Sequence, residues 1–257
     1  MTRLPVLFVS HGSPMLALEG PAHPYVRDLA AFARTLPDRP RAVLVLSAHW
    51  QTSDLRVTAA PRPGTLHDFY GFPPELHAID YPAPGDPGLA REVAALTGAA
   101  LDADRPLDHG AWAVLRHLFP AADVPVVQLS LPRRDPAGLV ALGAALRPLR
   151  DAGILIVASG GLVHNLRLAD FAAPDGQVDP WAREAETWFV TRLEEGRTED
   201  LLAHRDRWPR SAWAAPTTEH LDVLFPALGA ATPGAAPRSV HEGWQLANMS
   251  LRCLAWA

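Results

Sequence analysis

Three histidines stand just beyond short apolar runs: His11 after Leu4-Pro-Val-Leu-Phe-Val-Ser10, His49 after Arg41-Ala-Val-Leu-Val-Leu-Ser-Ala48, and His164 after Ile154-Leu-Ile-Val-Ala-Ser-Gly-Gly-Leu-Val163. A neutral imidazole binds divalent metals and also serves as a general base near neutral pH. Taken singly, His11 is explained equally well by a hydrogen bond to a loop carbonyl, His49 is better explained as a buried hydrogen-bonded ring, and the alternative for His164 is a glycine-rich turn that simply packs. The set says more, because two neutral imidazoles side by side cannot both take protons cheaply, whereas a divalent metal satisfies both. His11 is followed by Gly12-Ser13-Pro14, a turn, a cap and a first helical position, so a helix is expected to open right after it. His164 follows Ser159-Gly160-Gly161, whose glycines allow close backbone approach to a ligand, and it fits either a ligand or a base.

Two further histidines sit at expected helix starts. His220, in Pro216-Thr217-Thr218-Glu219-His220, falls in the first turn if Thr217 is the N-cap, where the helix dipole disfavours the charged ring. His109, in Leu107-Asp108-His109-Gly110-Ala111-Trp112, is placed either to meet a substrate oxygen or to cap its helix. Trp50 is the expected wall beside His49. Other chemistries find less support. No serine lies in Gly-x-Ser-x-Gly, and Ser159-Gly160-Gly161 lacks the glycine spacing and lysine of a phosphate loop. The single cysteine, Cys253, excludes a disulfide framework and any cysteine-based zinc site.

The elements that must carry these groups are legible as an alternation. The runs Val6–Val9, Val43–Leu46, Val124–Leu129 and Ile154–Val157 are short, apolar and rich in β-branched residues. Between and after them lie the helical patterns Tyr25–Thr35, Pro87–Thr97, Ala111–Leu118, Pro136–Arg150 and Pro180–Glu194. In the last of these, Trp181, Ala185, Trp188, Phe189 and Leu193 form one apolar stripe. This pattern predicts one α/β domain over residues 1–257, with a central, largely parallel or mixed sheet, helices on both faces, and a site at the strand carboxyl ends. The proline-dense stretch Pro61–Pro87, with His67, Phe69, Tyr70 and Phe72, reads as an ordered loop walling that site. Leu246–Leu254 partly alternates and is expected to add an edge strand.

Bulk properties narrow the partners. The 257 residues carry a net charge of −5 with scattered basic groups, unlike a nucleic-acid binder, and a small neutral or anionic substrate fits better. The apolar run at Leu4–Val9 is shorter than a signal-peptide core, and no apolar run reaches membrane-spanning length, so a cytoplasmic protein without membrane contact is expected.

Taken in order, His11-Gly-Ser-Pro14, Ser47-Ala-His49-Trp50, His67-Asp-Phe69 with Gly71-Phe-Pro73, Tyr81-Pro-Ala-Pro-Gly85, Leu107-Asp-His-Gly-Ala-Trp112, Gln128-Leu-Ser130, Ser159-Gly160 with His164-Asn-Leu166, and Thr218-Glu-His220 resemble the 4,5-DOPA extradiol dioxygenase family. That family is a branch of the class III extradiol ring-cleavage enzymes related to the protocatechuate 4,5-dioxygenase catalytic subunit. The resemblance spans nearly the whole chain. It implies a non-haem metal on His11, His49 and His220, Fe(II) in active enzyme and often Zn(II) in purified protein, with a small catechol-type substrate and O2 as partners. His164 is then the acid/base and a possible fourth ligand, and His109 a substrate contact. Trp50, His67 and Phe69 are the expected substrate wall. The third histidine departs from the two-histidine, one-carboxylate set of better-known relatives. Two alternatives use the same residues: a zinc hydrolase in which His164 activates a metal-bound water, and a non-catalytic, Memo-like interaction protein.

Overall fold

The computed structural model describes residues 2–257. Ten strands are present: β1 (Val6–Ser10), β2 (Ala42–Thr52), β3 (Arg56–Thr58), β4 (Ala100–Asp102), β5 (Val126–Pro132), β6 (Ile154–Gly160), β7 (Arg238–His241), β8 (Trp244–Gln245), β9 (Met249–Ser250) and β10 (Cys253–Trp256). Eight form one mixed sheet in the order β4-β3-β5-β2-β6-β1-β10-β7, and β8 pairs with β9 separately. The four central strands β5, β2, β6 and β1 are mutually parallel, which aligns their carboxyl ends on one rim. They coincide with the four apolar runs of the sequence. Being buried on both faces, they read as continuous apolar stretches rather than alternating ones.

Alternate side chains of these strands feed two cores. Val6, Phe8, Leu44, Leu46 and Ile156 point to one face, and Leu7, Val9, Val43, Val45 and Val157 to the other. Helices α1 (Pro24–Arg34) and α4 (His109–Leu118) cover the second face, while α3 (Pro87–Thr97), α5 (Pro136–Leu146) and α6 (Pro180–Glu194) cover the first. The architecture is the expected α/β layering, and no helix of the described residues is long and apolar enough to cross a membrane.

Several local expectations need correction. The helix read as Pro136–Arg150 stops at Leu146 and continues as a 3-10 turn over Arg147–Arg150, because Pro148 cannot supply the backbone donor the α ladder requires. The buried face of α6 is Ala182, Ala185, Phe189 and Leu193, with Trp181 and Trp188 at its margin. The stretch Leu246–Leu254, expected to add an edge strand, holds the short β9 of the separate pair and only the first two residues of β10, which lies between β1 and β7 and is interior. The short strands β3 and β4 extend the opposite end and carried too little pattern to be read from the sequence. Within the proline-dense loop only α2 (Pro74–His77) turns helical.

Candidate active site

Four of the five site histidines reach the rim by different local devices. His11 follows the last residue of β1, and Gly12 then turns with φ +64°, a left-handed conformation in which a β-carbon would also collide with Leu16, Leu251 and Gln245. The helix expected there is a five-residue 3-10 helix, Pro14–Leu18, capped by Ser13. His49 lies inside β2 rather than in a loop after it, where the register with β5 shifts between Leu46 and Gln51. Such a bulge re-aims a side chain at the end of a ladder. His109 opens α4, whose cap Asp108 is fully buried. Its carboxylate accepts from Ser47 Oγ at 2.7 Å and from Gln128 Nε2, tying β2, β5 and α4 together. Burial raises the Asp108 pKa. His220 is the second residue of the short helix Glu219–Asp222, whose cap is Thr218 rather than Thr217.

Gly160 explains how that short helix comes so close. A β-carbon at this position would overlap the His220 carbonyl oxygen and stand 2.9 Å from its carbon, while Gly161 N–H donates to the same carbonyl at 2.9 Å. The sequence assigned these glycines to ligand approach. Gly160 admits the segment that carries His220 instead.

The ring nitrogens of His11, His49 and His220 all lie within 4.8 Å of one another. His11 Nε2 and His49 Nε2 are 3.1 Å apart. Metal–nitrogen bonds of about 2.0–2.1 Å put neighbouring ligand nitrogens roughly 2.9–3.4 Å apart in octahedral or tetrahedral geometry, so this spacing fits a shared ion. The tautomers fit as well. The Ser159 hydroxyl donates to Gly110 O at 2.6 Å and so accepts from His11 Nδ1–H at 3.0 Å, which leaves a lone pair on His11 Nε2. Glu219 Oε1 accepts from His220 Nδ1–H at 3.2 Å and from the Thr217 hydroxyl at 2.8 Å, which frees His220 Nε2. Glu219 therefore holds the ring, in the arrangement by which outer carboxylates orient metal-binding histidines. Burial tends to raise its pKa, but the hydrogen bonds from His220 and Thr217 outweigh it and take it down to about 2.

Burial and neighbouring imidazoles push His11 and His49 well below the usual histidine pKa. His164 stacks on His220 with centroids 3.8 Å apart and planes 7° from parallel, and burial followed by that neighbour takes its pKa to about 3. It lies outside the three-nitrogen group. His109 packs 4.0 Å from His49 between ring centroids, and its Nδ1–H donates to Asp68 Oδ1 at 2.8 Å. Burial would raise the Asp68 pKa, yet the hydrogen bonds from His109 bring it to about 2.

These five rings form the floor of a cavity of 530 Å³, with Phe69, Phe72, Leu246 and Met249 among its walls. Leu246 and Ala247 take left-handed φ values of 52° and 60°, strained for residues with a β-carbon. Backbone N–H groups of Asp170 and Asp179 hold their carbonyls. Two expected wall residues are absent from this lining. Trp50 is buried beneath the Arg105 guanidinium, 5.5 Å from its ring centroid, because neighbours along a strand point to opposite faces and His49 takes the inward one. His67 turns into its own loop, where Nε2–H donates to Ile79 O at 2.8 Å and the ring meets Trp112 edge-on. Phe69 does line the cavity. Asp68 was the residue missed: it lies inside a quoted motif, but its partner is 41 positions away and no local pattern announces it.

A mixed α/β sheet whose strand rim gathers three imidazoles, spaced so that they could hold one ion, at the floor of an apolar cavity is the architecture of a metal-dependent enzyme. The chain belongs to the family described as the catalytic LigB subunit of aromatic ring-opening dioxygenase, which residues 5–251 match. Members are enzymes of aromatic ring cleavage acting through a non-haem metal with O2. It is 40% identical to a 4,5-DOPA dioxygenase extradiol of Escherichia coli (strain K12), over 97% of this chain and 93% of that protein. A Beta vulgaris protein of the same description is 36% identical over 95% and 92%. The fold matches the crystal structure of an uncharacterized protein from Escherichia coli K12 with a TM-score of 0.82 at 32% identity, covering 99% of this chain and all of that one.

Proposed function

We propose that residues 1–257 form one cytoplasmic catalytic domain that cleaves a catechol-type ring beside its diol, inserting both atoms of O2 to give a semialdehyde acid. His11, His49 and His220 hold the metal, Fe(II) in active enzyme, with Zn(II) an equally acceptable occupant of an all-imidazole site. The observation that carries the reading is the convergence of three imidazole nitrogens within 4.8 Å at the floor of an apolar cavity. Fe(II) held by these three residues would supply the redox chemistry that lets triplet O2 react with a singlet catechol.

The chain's own residues do the rest. His164, neutral across the physiological range, takes a catechol hydroxyl proton on its unprotonated ring nitrogen and returns one as the ring opens. A base at about 3 accepts a proton efficiently only where negative charge develops beside it, which is what a deprotonating catechol supplies. His109, with Nδ1–H committed to Asp68, turns Nε2 to a substrate oxygen. Phe69 and Phe72 pack on the ring and keep water away. Anaerobic loading with Fe(II), followed by catechol and air, tests the reading: one O2 consumed per catechol with a ring-opened chromophore supports it. Full iron occupancy without oxygen uptake refutes it.

A further inference from the structure

The mouth of the cavity is apolar to an extent the ring-cleavage chemistry does not require. Tyr70 is 93% exposed, Phe171 75%, Leu166 54% and Met15 38%, and all four border the same opening above the histidine floor. Large apolar groups left in water around one opening mark a surface that a ligand covers. Their positions lie on three unrelated segments, so the ring is assembled by the fold rather than by one hydrophobic stretch.

Charge at the same place is equally one-sided. The sequence contains no lysine, and among the described residues no arginine lines the cavity. Arg167, beside Leu166, is exposed and outside the lining. The one carboxylate among the lining side chains is Asp68, already engaged by His109. A carboxylate on the substrate's ring substituent would find no lysine or arginine among the lining side chains to pair with.

We infer that this site takes catechols bearing an uncharged apolar substituent, alkyl or aryl, with the diol on the histidine floor and the substituent held at the mouth by Tyr70, Leu166 and Phe171. The inference rests on the ring-cleavage reading and adds the substrate class to it.

The test compares matched catechols on the Fe(II)-loaded enzyme: 4-ethylcatechol and 4-phenylcatechol against 3,4-dihydroxyphenylacetate and DOPA. It reads oxygen uptake, and anaerobic binding by tryptophan fluorescence of the Zn(II)-loaded protein. The apolar catechols are expected to exceed the carboxylated ones about tenfold or more in both kcat/KM and affinity. Phe171→Arg, at a position exposed enough to leave the core untouched, is expected to lower that preference about tenfold by supplying the missing cation. Preference of the wild type for the carboxylated catechols, or no change of preference in Phe171→Arg, overturns the inference while leaving ring cleavage standing. Failure of the whole panel to bind or react would instead bring down the ring-cleavage reading on which it depends.

Discussion

Gly160→Ala isolates the positioning of His220 from its chemistry. The added β-carbon would fall well inside the 3.0 Å that real β-carbons keep, against a backbone oxygen that cannot rotate away, and also against Val223. To relieve it, β6 and the helix Glu219–Asp222 must part by on the order of 1 Å, stretching the bond from Gly161 N–H to the His220 carbonyl. Overpacking of this kind costs about 1–3 kcal/mol of stability. The larger effect falls on the site, because His220 moves relative to His11 and His49 while its own ligand atom is unchanged. Loss of ligand orientation weakens metal affinity about 10–100-fold, and a misplacement of roughly 1 Å lowers turnover about 10²-fold. Gly161→Ala is the matched control, since its β-carbon meets only the His164 β-carbon at an ordinary 3.8 Å and its metal affinity should stay near wild type. Competitive Zn(II) titration against a chelating dye, with thermal unfolding alongside, measures both. Wild-type zinc affinity in a folded Gly160→Ala protein would refute the argument.

Other consequences follow from the same geometry. His220→Ala should abolish metal binding, whereas Glu219→Gln, which keeps an acceptor for His220 Nδ1–H, should weaken it by about tenfold at most; equal losses by metal analysis would count against the assigned roles. His164→Ala should retain metal and catechol affinity while kcat falls about 10²- to 10⁴-fold, and loss of metal would make it a ligand instead. Asp68→Asn should cost about 2 kcal/mol in urea unfolding of metal-free protein at neutral pH. Because the Asp68 pKa is depressed in the folded chain, that contribution is complete above pH ~4 and disappears toward pH ~2, so the wild-type and variant curves should converge in acid. The lowered pKa values of His11, His49 and His164 act in the opposite range. Below pH ~6.5 the unfolded chain binds protons that the folded chain refuses, so metal-free protein should lose up to about 1.4 kcal/mol per pH unit for each of them. An unfolding midpoint unchanged between pH 7 and pH 5 would contradict those burials.

What the sequence determined by itself was everything carried by local pattern. Continuous apolar runs such as Val6–Val9 and Ile154–Val157 specify strands buried on both faces, and a parallel sheet follows from the helices between them. The order of histidine motifs along the chain was enough to mark His11, His49, His109, His164 and His220 as one set and to suggest the family. Proline and cap residues at Pro87 and Pro180 placed helix starts correctly, because φ restriction and orphan N–H groups are local matters. Tertiary structure decided which neighbours of those histidines matter. Trp50 and His67 share motifs with site residues but point elsewhere, since strand alternation turns one away and a carbonyl in its own loop captures the other. Asp68, Glu219 and Ser159 acquire their roles only when a partner from another segment or a buried ring supplies the second half of a hydrogen bond. Leu166, Phe171 and Leu246 become a cavity mouth only when loops with no periodicity of their own are folded over the rim. Hydrogen-bond pairing and cavity shape depend on distances between residues far apart in the chain, and those distances exist only once the sheet has closed the loops between them.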